Sequence, residues 1–422
     1  MDFLAIPPAK SIEGSIRVPS SKSATNRALV AAALGSGPVE IERPLESGDT
    51  AALRRCLAAM GASIRETPRG LRVHGPLGGR SGTVTLDAGD SGTAARFLIA
   101  AAAAVPGRYV VTGSPRLRER PVGGLVDALR SGGARIEYRG AEGLLPVEVH
   151  GGSLESGVLE VDASHSSQFL SAILLAGLAV EGGLGARPVG PVASAPYVSM
   201  TVETLRALGH DAAGGETPRA ARGPSPAERF ETPGDYSSAV ALAAAVGAAG
   251  GRLTLAGLRL PSGDADAAAL PVLERMGVRI AASASALEVS AAGAPHAVEA
   301  RATDFPDAVP ALAALAALAP GESRFAGIGH LRWKESDRLE ALTAVLAAAG
   351  AAARVDGDAL CVAGPPGSAA PLRRLPTFRD HRMAMAGAIL AMAVPGVLLE
   401  DPGCVAKSYP GFFRDLESVA RR

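Results

Sequence analysis

Lysine is almost absent from this chain: only Lys10, Lys22, Lys334 and Lys407 occur among 42 basic residues. An ammonium is a compact, movable charge with a tunable pKa that a guanidinium cannot replace. Lysines kept against such a bias mark positions where chemistry is expected. Lys22 sits in Ser20-Ser21-Lys22-Ser23, one turn before Arg27, and Lys407 ends Cys404-Val405-Ala406-Lys407. Lys334 lies in Arg332-Trp333-Lys334-Glu335-Ser336-Asp337-Arg338. Further polar clusters are Asp90-Ser91-Gly92-Thr93 with Arg96, Arg116-Leu117-Arg118-Glu119-Arg120-Pro121, Ser166-Ser167-Gln168, Asp307 and Asp380-His381-Arg382. Any one charge run reads as solvated surface. Together they supply about ten cations, with hydroxyls and an amide between them, which suits a small ligand rich in anionic groups.

The elements that must position these groups repeat. Six times a short polar cluster opens into an Ala/Leu-rich run, led by Ser20, Asp90, Ser164, Asp235, Asp307 and Asp380, at intervals of 70 to 74 residues. A Ser or Asp oxygen accepts the orphan amides of a first helical turn, so each leading residue is expected to cap a buried helix. An amphipathic run ending in glycine repeats in phase, at Gly61, Gly133, Gly209, Gly277 and Gly350, as expected of a left-handed residue after a helix. Alternating segments follow, such as Ala62-Ser63-Ile64-Arg65 and Leu71-Arg72-Val73-His74. Each unit therefore reads as βαβαββ. The sixth ends at its second helix, Phe412 to Ala420, so the segment Leu4 to Val18 is expected to supply its missing strands. Gly214 to Glu231, before the fourth cluster, reads as a strand pair with a long turn or as a solvated loop. If the six helix starts converge, their amides and dipoles make an anion site without a basic protein.

Composition agrees with that economy. The chain of 422 residues balances 42 Lys+Arg against 42 Asp+Glu, which argues against a nucleic-acid or membrane-surface protein. Its length exceeds what one core usually supports, so two domains of three units each are expected. Cys56, Cys361 and Cys404 are odd in number and never form C-x-x-C, as expected in a reducing cytosol. The N-terminal residues lack a signal-peptide pattern, and Met383 to Leu399 is broken by Pro395-Gly396, too short to span a membrane. A cytoplasmic protein is expected.

The blocks Pro19-Ser20-Ser21-Lys22-Ser23-Ala24-Thr25-Asn26-Arg27, Asp90-Ser91-Gly92-Thr93-Ala94-Ala95-Arg96, Glu119-Arg120-Pro121, Ser166-Ser167-Gln168-Phe169-Leu170, Pro306-Asp307-Ala308, Lys334-Glu335-Ser336-Asp337-Arg338, Asp380-His381-Arg382-Met383-Ala384 and Lys407-Ser408-Tyr409-Pro410 follow one another along nearly the whole chain. In type and order they resemble the EPSP synthase (3-phosphoshikimate 1-carboxyvinyltransferase) family of enolpyruvyl transferases. The resemblance implies an α/β protein, a two-domain inside-out α/β barrel of six βαβαββ repeats. Residues 1–19 with 233–422 would form one domain, residues 20–232 the other, and the active site would lie in the cleft between them. The implied reaction passes the enolpyruvyl group of phosphoenolpyruvate to the 5-hydroxyl of shikimate 3-phosphate and releases phosphate. Neither a metal nor an organic cofactor is expected, and a monomer is.

By the same resemblance, shikimate 3-phosphate would be held by Lys22, Ser23, Arg27, Ser166, Ser167, Gln168, Ser194, Tyr197, Asp307 and Lys334. Phosphoenolpyruvate would be held by Lys22, Gly92, Arg120, Gln168, Arg338, Arg382 and Lys407. Asp307 would act as base, Glu335 and Lys22 as the candidate acids, with His381 a possible assistant. Glu335, beside Lys334 and near Arg338, would be ionised until entering anions neutralise those cations. The chain departs from the family at His330, where Asn is frequent, at Ala195, where Lys is, and at Trp333, usually a smaller apolar residue. Gly92, where glyphosate-resistant members carry Ala, implies sensitivity to glyphosate. The rival UDP-N-acetylglucosamine 1-carboxyvinyltransferase typically has a Cys a few residues before its Arg-Pro dipeptide, where this chain has Pro115, and lacks Ser-Ser-Gln. A non-catalytic repeat scaffold would tolerate similar clusters in every unit, whereas these six differ.

Overall fold

In the computed structural model, which describes residues 2–75, 77–79, 81–223, 227–260, 262–364 and 372–422, the Ala/Leu-rich runs are helices Lys22–Leu34, Gly92–Ala104, Gln168–Ala176, Tyr236–Ala249, Val309–Ala316 and His381–Ala393. They are buried on nearly all sides. All-round burial is what their small, apolar composition permits, since alanine packs against neighbours without a polar face to hydrate. The chain divides into two compact units, residues 20–232 and residues 1–19 with 233–422. Within each unit, three of these helices pack together at the centre of one apolar core.

Sheets clothe the helices. In residues 20–232 the three sheets each have four strands, and each begins with a parallel pair followed by an antiparallel hairpin. Val39–Glu42 shows the reason for their placement: Val39 and Ile41 are buried while Glu40 and Glu42 face outward, the period-two pattern of a half-covered strand. Gly61, Gly133, Gly209, Gly277 and Gly350 all have positive φ, between 82° and 121°, so the glycine stops after the second helices stand.

The expected caps need correction. Asp235 and Asp380 accept from the Ser238 and Arg382 N–H groups as expected. The first two caps are instead Ser21 and Ser91, one residue after the leaders Ser20 and Asp90. The third and fifth helices start at Ser167 and Ala308 with no side-chain cap. Asp307, which leads the fifth, is turned instead toward arginine.

Strand membership also differs from the simple repeat. Phe3–Ala5 does complete the sixth sheet, pairing with Val397–Glu400. Ser11–Arg17 does not: it pairs parallel with Gly251–Ala256 in the fourth unit's sheet. Reciprocally, Arg229–Glu231, which directly precedes the fourth cluster, pairs parallel with Val39–Glu42 of the first unit. Gly214 to Glu231 therefore holds two strands, Arg219–Ala221 and Arg229–Glu231, in different sheets, and its residues 224–226 lie outside the described ones. Each first strand has moved to the other compact unit. The chain crosses from one unit to the other between such a strand and the helix that follows it, at 19–20 and again at 232–233.

Candidate functional site

The polar clusters form one constellation in each unit. In residues 20–232, Lys22 opens its helix and its Nζ lies 3.1 Å from Asp49 Oδ2, both groups largely buried. Asp49 sits in the first turn of Gly48–Met60, a helix held by a Ser47–Thr50 capping box. Arg27 is 1% exposed. Its Nε donates to Thr201 Oγ1 at 2.7 Å, and its Nη groups donate to the Ser23 and Tyr197 carbonyls, both at 3.0 Å, and to Ser171 Oγ at 3.3 Å. Arg27 thus knits the backbone of Ser23 to that of Tyr197. Ser194 is buried with φ of 59°, a conformation that costs a β-carbon-bearing residue energy and recurs where a site dictates the backbone. The neighbouring Ala193 carbonyl accepts from the Ser167 N–H, which ties the segment of Ser166 and Ser167 to the turn of Ser194 and the first helical turn that carries Tyr197.

The first turn of Gly92–Ala104 adds a second group. Thr93 Oγ1 accepts from Gln168 Nε2 at 2.9 Å, and Arg96 Nη1 donates to Gln168 Oε1 at 2.6 Å. A β-carbon on Gly92 would stand 2.7 Å from three atoms of the Arg120 guanidinium. Only a glycine lets the Arg120 guanidinium approach so closely. Gly92→Ala should therefore keep the fold, because a flexible side-chain end can shift, but displace Arg120. We expect the Michaelis constant for whichever anion Arg120 holds to rise roughly tenfold, as when one charge-assisted contact is lost; steady-state kinetics would show it.

In the other unit one guanidinium organises the acid–base residues. Arg338, 1% exposed in its side chain, reaches Asp380 Oδ2 with Nε at 2.9 Å, Asp307 Oδ1 with Nη1 at 2.8 Å and Glu335 Oε2 with Nη2 at 2.8 Å. Lys334 Nζ lies 3.8 Å from Asp307 Oδ1, Arg382 Nη2 3.6 Å from Asp307 Oδ2, and Lys407 Nζ 3.6 Å from Glu335 Oε1. Arg382 also donates to Ser237 Oγ, whose hydroxyl donates to Asp235. Four cations thus meet three carboxylates, arranged so that each carboxylate has a specific partner. The pairing differs from the order along the chain: Lys334 faces Asp307, and Glu335 faces Lys407 rather than its neighbour Lys334. His381 is buried against Asp380, with Nδ1 3.6 Å from Oδ1.

Electrostatics follow from this packing. Burial would raise the Asp307 pKa, but Lys334, Arg338 and Arg382 outweigh it and hold the carboxyl well below its ordinary 3.8. Burial opposes the charge of Arg338, yet Asp380, Glu335 and Asp307 hold it firmly protonated. Burial, then Lys334, push His330 down to about 3, so His330 stands beside this cluster as a neutral imidazole. Since folding lowers the Asp307 pKa, its ion pairs stabilise the protein above pH 3.8 and that contribution is lost as pH falls toward the folded value. Acid unfolding below about pH 4 should lose this component in Asp307→Asn; superimposable acid limbs for the two proteins would contradict it.

The whole chain can now be set beside known proteins. The EPSP synthase family model, described as 3-phosphoshikimate 1-carboxyvinyltransferase, matches residues 6–416. The chain belongs to the EPSP synthase family. Proteins named 3-phosphoshikimate 1-carboxyvinyltransferase from Methanoculleus marisnigri and Syntrophobacter fumaroxidans are 37% and 38% identical to it, covering 96% and 98% of this chain and 96% and 99% of theirs. The solved EPSP synthase of Acinetobacter baumannii superposes with a TM-score of 0.80 at 25% identity, over 99% of this chain and 98% of that one.

Of the residues that the family resemblance suggests, Asp307, Lys334, Glu335, Arg338, Arg382 and Lys407 come together in one unit. Lys22, Ser23, Arg27, Gly92, Arg120, Ser166, Ser167, Gln168, Ser194 and Tyr197 all belong to the other. Sequence reading missed Asp49, and it took Thr93, Ser237 and Asp380 only as members of helix-start polar clusters, without their partners. Asp49 and Ser237 sit at helix starts, where local pattern offers a capping explanation and hides the ion partner.

Proposed function

We infer that this EPSP synthase family member transfers the enolpyruvyl group of phosphoenolpyruvate to the 5-hydroxyl of shikimate 3-phosphate in the shikimate pathway. The observation that carries the catalytic assignment is the Arg338 cluster, which gathers a carboxylate base, a second carboxylate and three further cations. In the addition step Asp307 takes the 5-hydroxyl proton, that oxygen bonds to C2 of phosphoenolpyruvate, and Glu335 or Lys22 delivers a proton to C3. In the elimination step the C2–O bond to phosphate breaks and C3 returns a proton, restoring the vinyl group. Substrate phosphates entering the cluster compete with Asp307 and Glu335 for Lys334, Arg338, Arg382 and Lys407. That competition raises the basicity of both carboxylates when the reaction needs it.

Shikimate 3-phosphate is taken by Lys22, Ser23, Arg27, Ser166, Ser167, Gln168, Ser194, Tyr197, Asp307 and Lys334, with Arg27 also donating to the Ser23 and Tyr197 carbonyls. Phosphoenolpyruvate is taken by Lys22, Gly92, Arg120, Gln168, Arg338, Arg382 and Lys407. The reaction therefore needs residues of both units. We place the enzyme in the cytoplasm as a monomer, where its three free thiols stay reduced. No helix among the described residues is long and apolar enough to cross a membrane.

The test is phosphate release from phosphoenolpyruvate, which should require shikimate 3-phosphate; release dependent on UDP-N-acetylglucosamine instead would overturn the reading. With Gly92 in place, glyphosate should inhibit turnover. Full activity at high glyphosate would contradict that expectation.

A further inference from the structure

Arg96 carries no assignment in the reaction, yet it is 3% exposed and sits among residues that do. Its Nη1 donates to Gln168 Oε1 at 2.6 Å, its Nη2 donates to the Pro121 carbonyl at 3.1 Å, and its guanidinium lies over the Phe169 ring at 5.4 Å from the centroid. One planar group thus joins three segments: its own helix, the turn carrying Arg120, and the start of the helix carrying Gln168. Because a guanidinium has donors and no acceptor, the Gln168 amide can meet it only through Oε1. Thr93 Oγ1 then takes one Nε2 hydrogen. The amide of Gln168 is left with its second Nε2 hydrogen to offer a ligand, a donor suited to a phosphate or carboxylate oxygen.

We propose that Arg96 is the positioning residue of the phosphoenolpyruvate side of the site, acting through Gln168, whose N–H it fixes outward, without itself touching substrate. This rests on the EPSP synthase reading above. A buried arginine beside an anion site would ordinarily be taken as one more phosphate ligand. Here its Nη groups point to two internal oxygens in a bidentate span that a lysine cannot reproduce.

The experiment is a double-mutant cycle on the whole enzyme. Arg96→Met should raise KM for phosphoenolpyruvate at least tenfold, and by clearly more than it raises the dissociation constant of shikimate 3-phosphate, from equilibrium dialysis, to which Gln168 contributes one contact among many. Arg96→Lys should recover little of the loss. Arg96→Met combined with Gln168→Ala should be no more than about threefold worse than the poorer single variant. Effects of the two changes that multiply, or recovery of most activity in Arg96→Lys, would mean that Arg96 acts as a charge on substrate and would overturn the proposal. If Arg96→Met does not fold, the polar replacement Arg96→Gln serves the same end. It should raise KM for phosphoenolpyruvate severalfold in the wild-type background and not at all in Gln168→Ala, and an equal effect in both would overturn the proposal. A wild-type enzyme with no turnover dependent on shikimate 3-phosphate would instead sink the reading on which this one rests.

Discussion

Asp307→Asn is expected to lower turnover by about 10²–10⁴-fold, the range typical of a lost general base. The amide keeps the volume and can still accept from Arg338 through its oxygen, so the cluster should survive. What disappears is the carboxylate that meets Lys334, Arg338 and Arg382 together and that we assign to take the proton of the substrate hydroxyl. Phosphate release measured with both substrates saturating reads the effect directly. Michaelis constants should change far less than turnover, since the cations that hold the phosphates remain. An Asp307→Asn enzyme within tenfold of the wild-type rate would remove Asp307 as the base and leave Glu335 to be tested in its place.

Arg338→Met should be the most destabilising single change in this cluster. Methionine fills much of the volume, but it leaves Asp380, wholly buried, without its Nε partner, and releases Asp307 and Glu335 at the same time. Removing one partner of a buried ion pair costs about 3–5 kcal/mol, because the remaining charge is neither solvated nor paired. Denaturant unfolding should show the loss, with turnover abolished as well. The cause is separable from lost packing. Asp380→Asn introduced into Arg338→Met removes the stranded charge while an asparagine still caps the His381–Ala393 helix, so the double variant should regain part of the lost stability. Further additive destabilisation would show that packing, and not charge, makes Arg338 indispensable.

Much of this site is legible along the chain, for a local reason. Helix starts carry short polar residues because the orphan amides need acceptors, and Lys22, Gly92, Ser167, Gln168, Arg338 and Arg382 lie within the first turns of helices or beside them. The periodic glycines and Ala/Leu runs are equally local, since one residue's propensity suffices to mark each. Asp307 shows the limit. Its position before an apolar run reads as a cap, but Arg338 offers its carboxylate a partner thirty-one positions away, and the helix starts uncapped.

Ion pairing and strand membership lie beyond such reading. Neighbours in the chain, Lys334 and Glu335, turn to different partners, Asp307 and Lys407. Arg27, which by type suits a phosphate, donates to the carbonyls of Ser23 and Tyr197, and the second becomes available only when the helix Pro196–Ala207 packs beside that of Arg27.

The sequence by itself determined six units, their buried helices, the glycine stops and the family to which the chain belongs, because helices and stops are written in residue type within a few turns, and units and family in the order and spacing of such local blocks. Only the tertiary structure decided that Ser11–Arg17 and Arg229–Glu231 exchange places between units, that Asp49 meets Lys22, and that Arg96 orients Gln168. The physical reason is the same in all three. A strand edge or a charge binds whichever complementary group the folded core brings within about 3 Å, and the periodicity of a segment says how it folds but not what it will face.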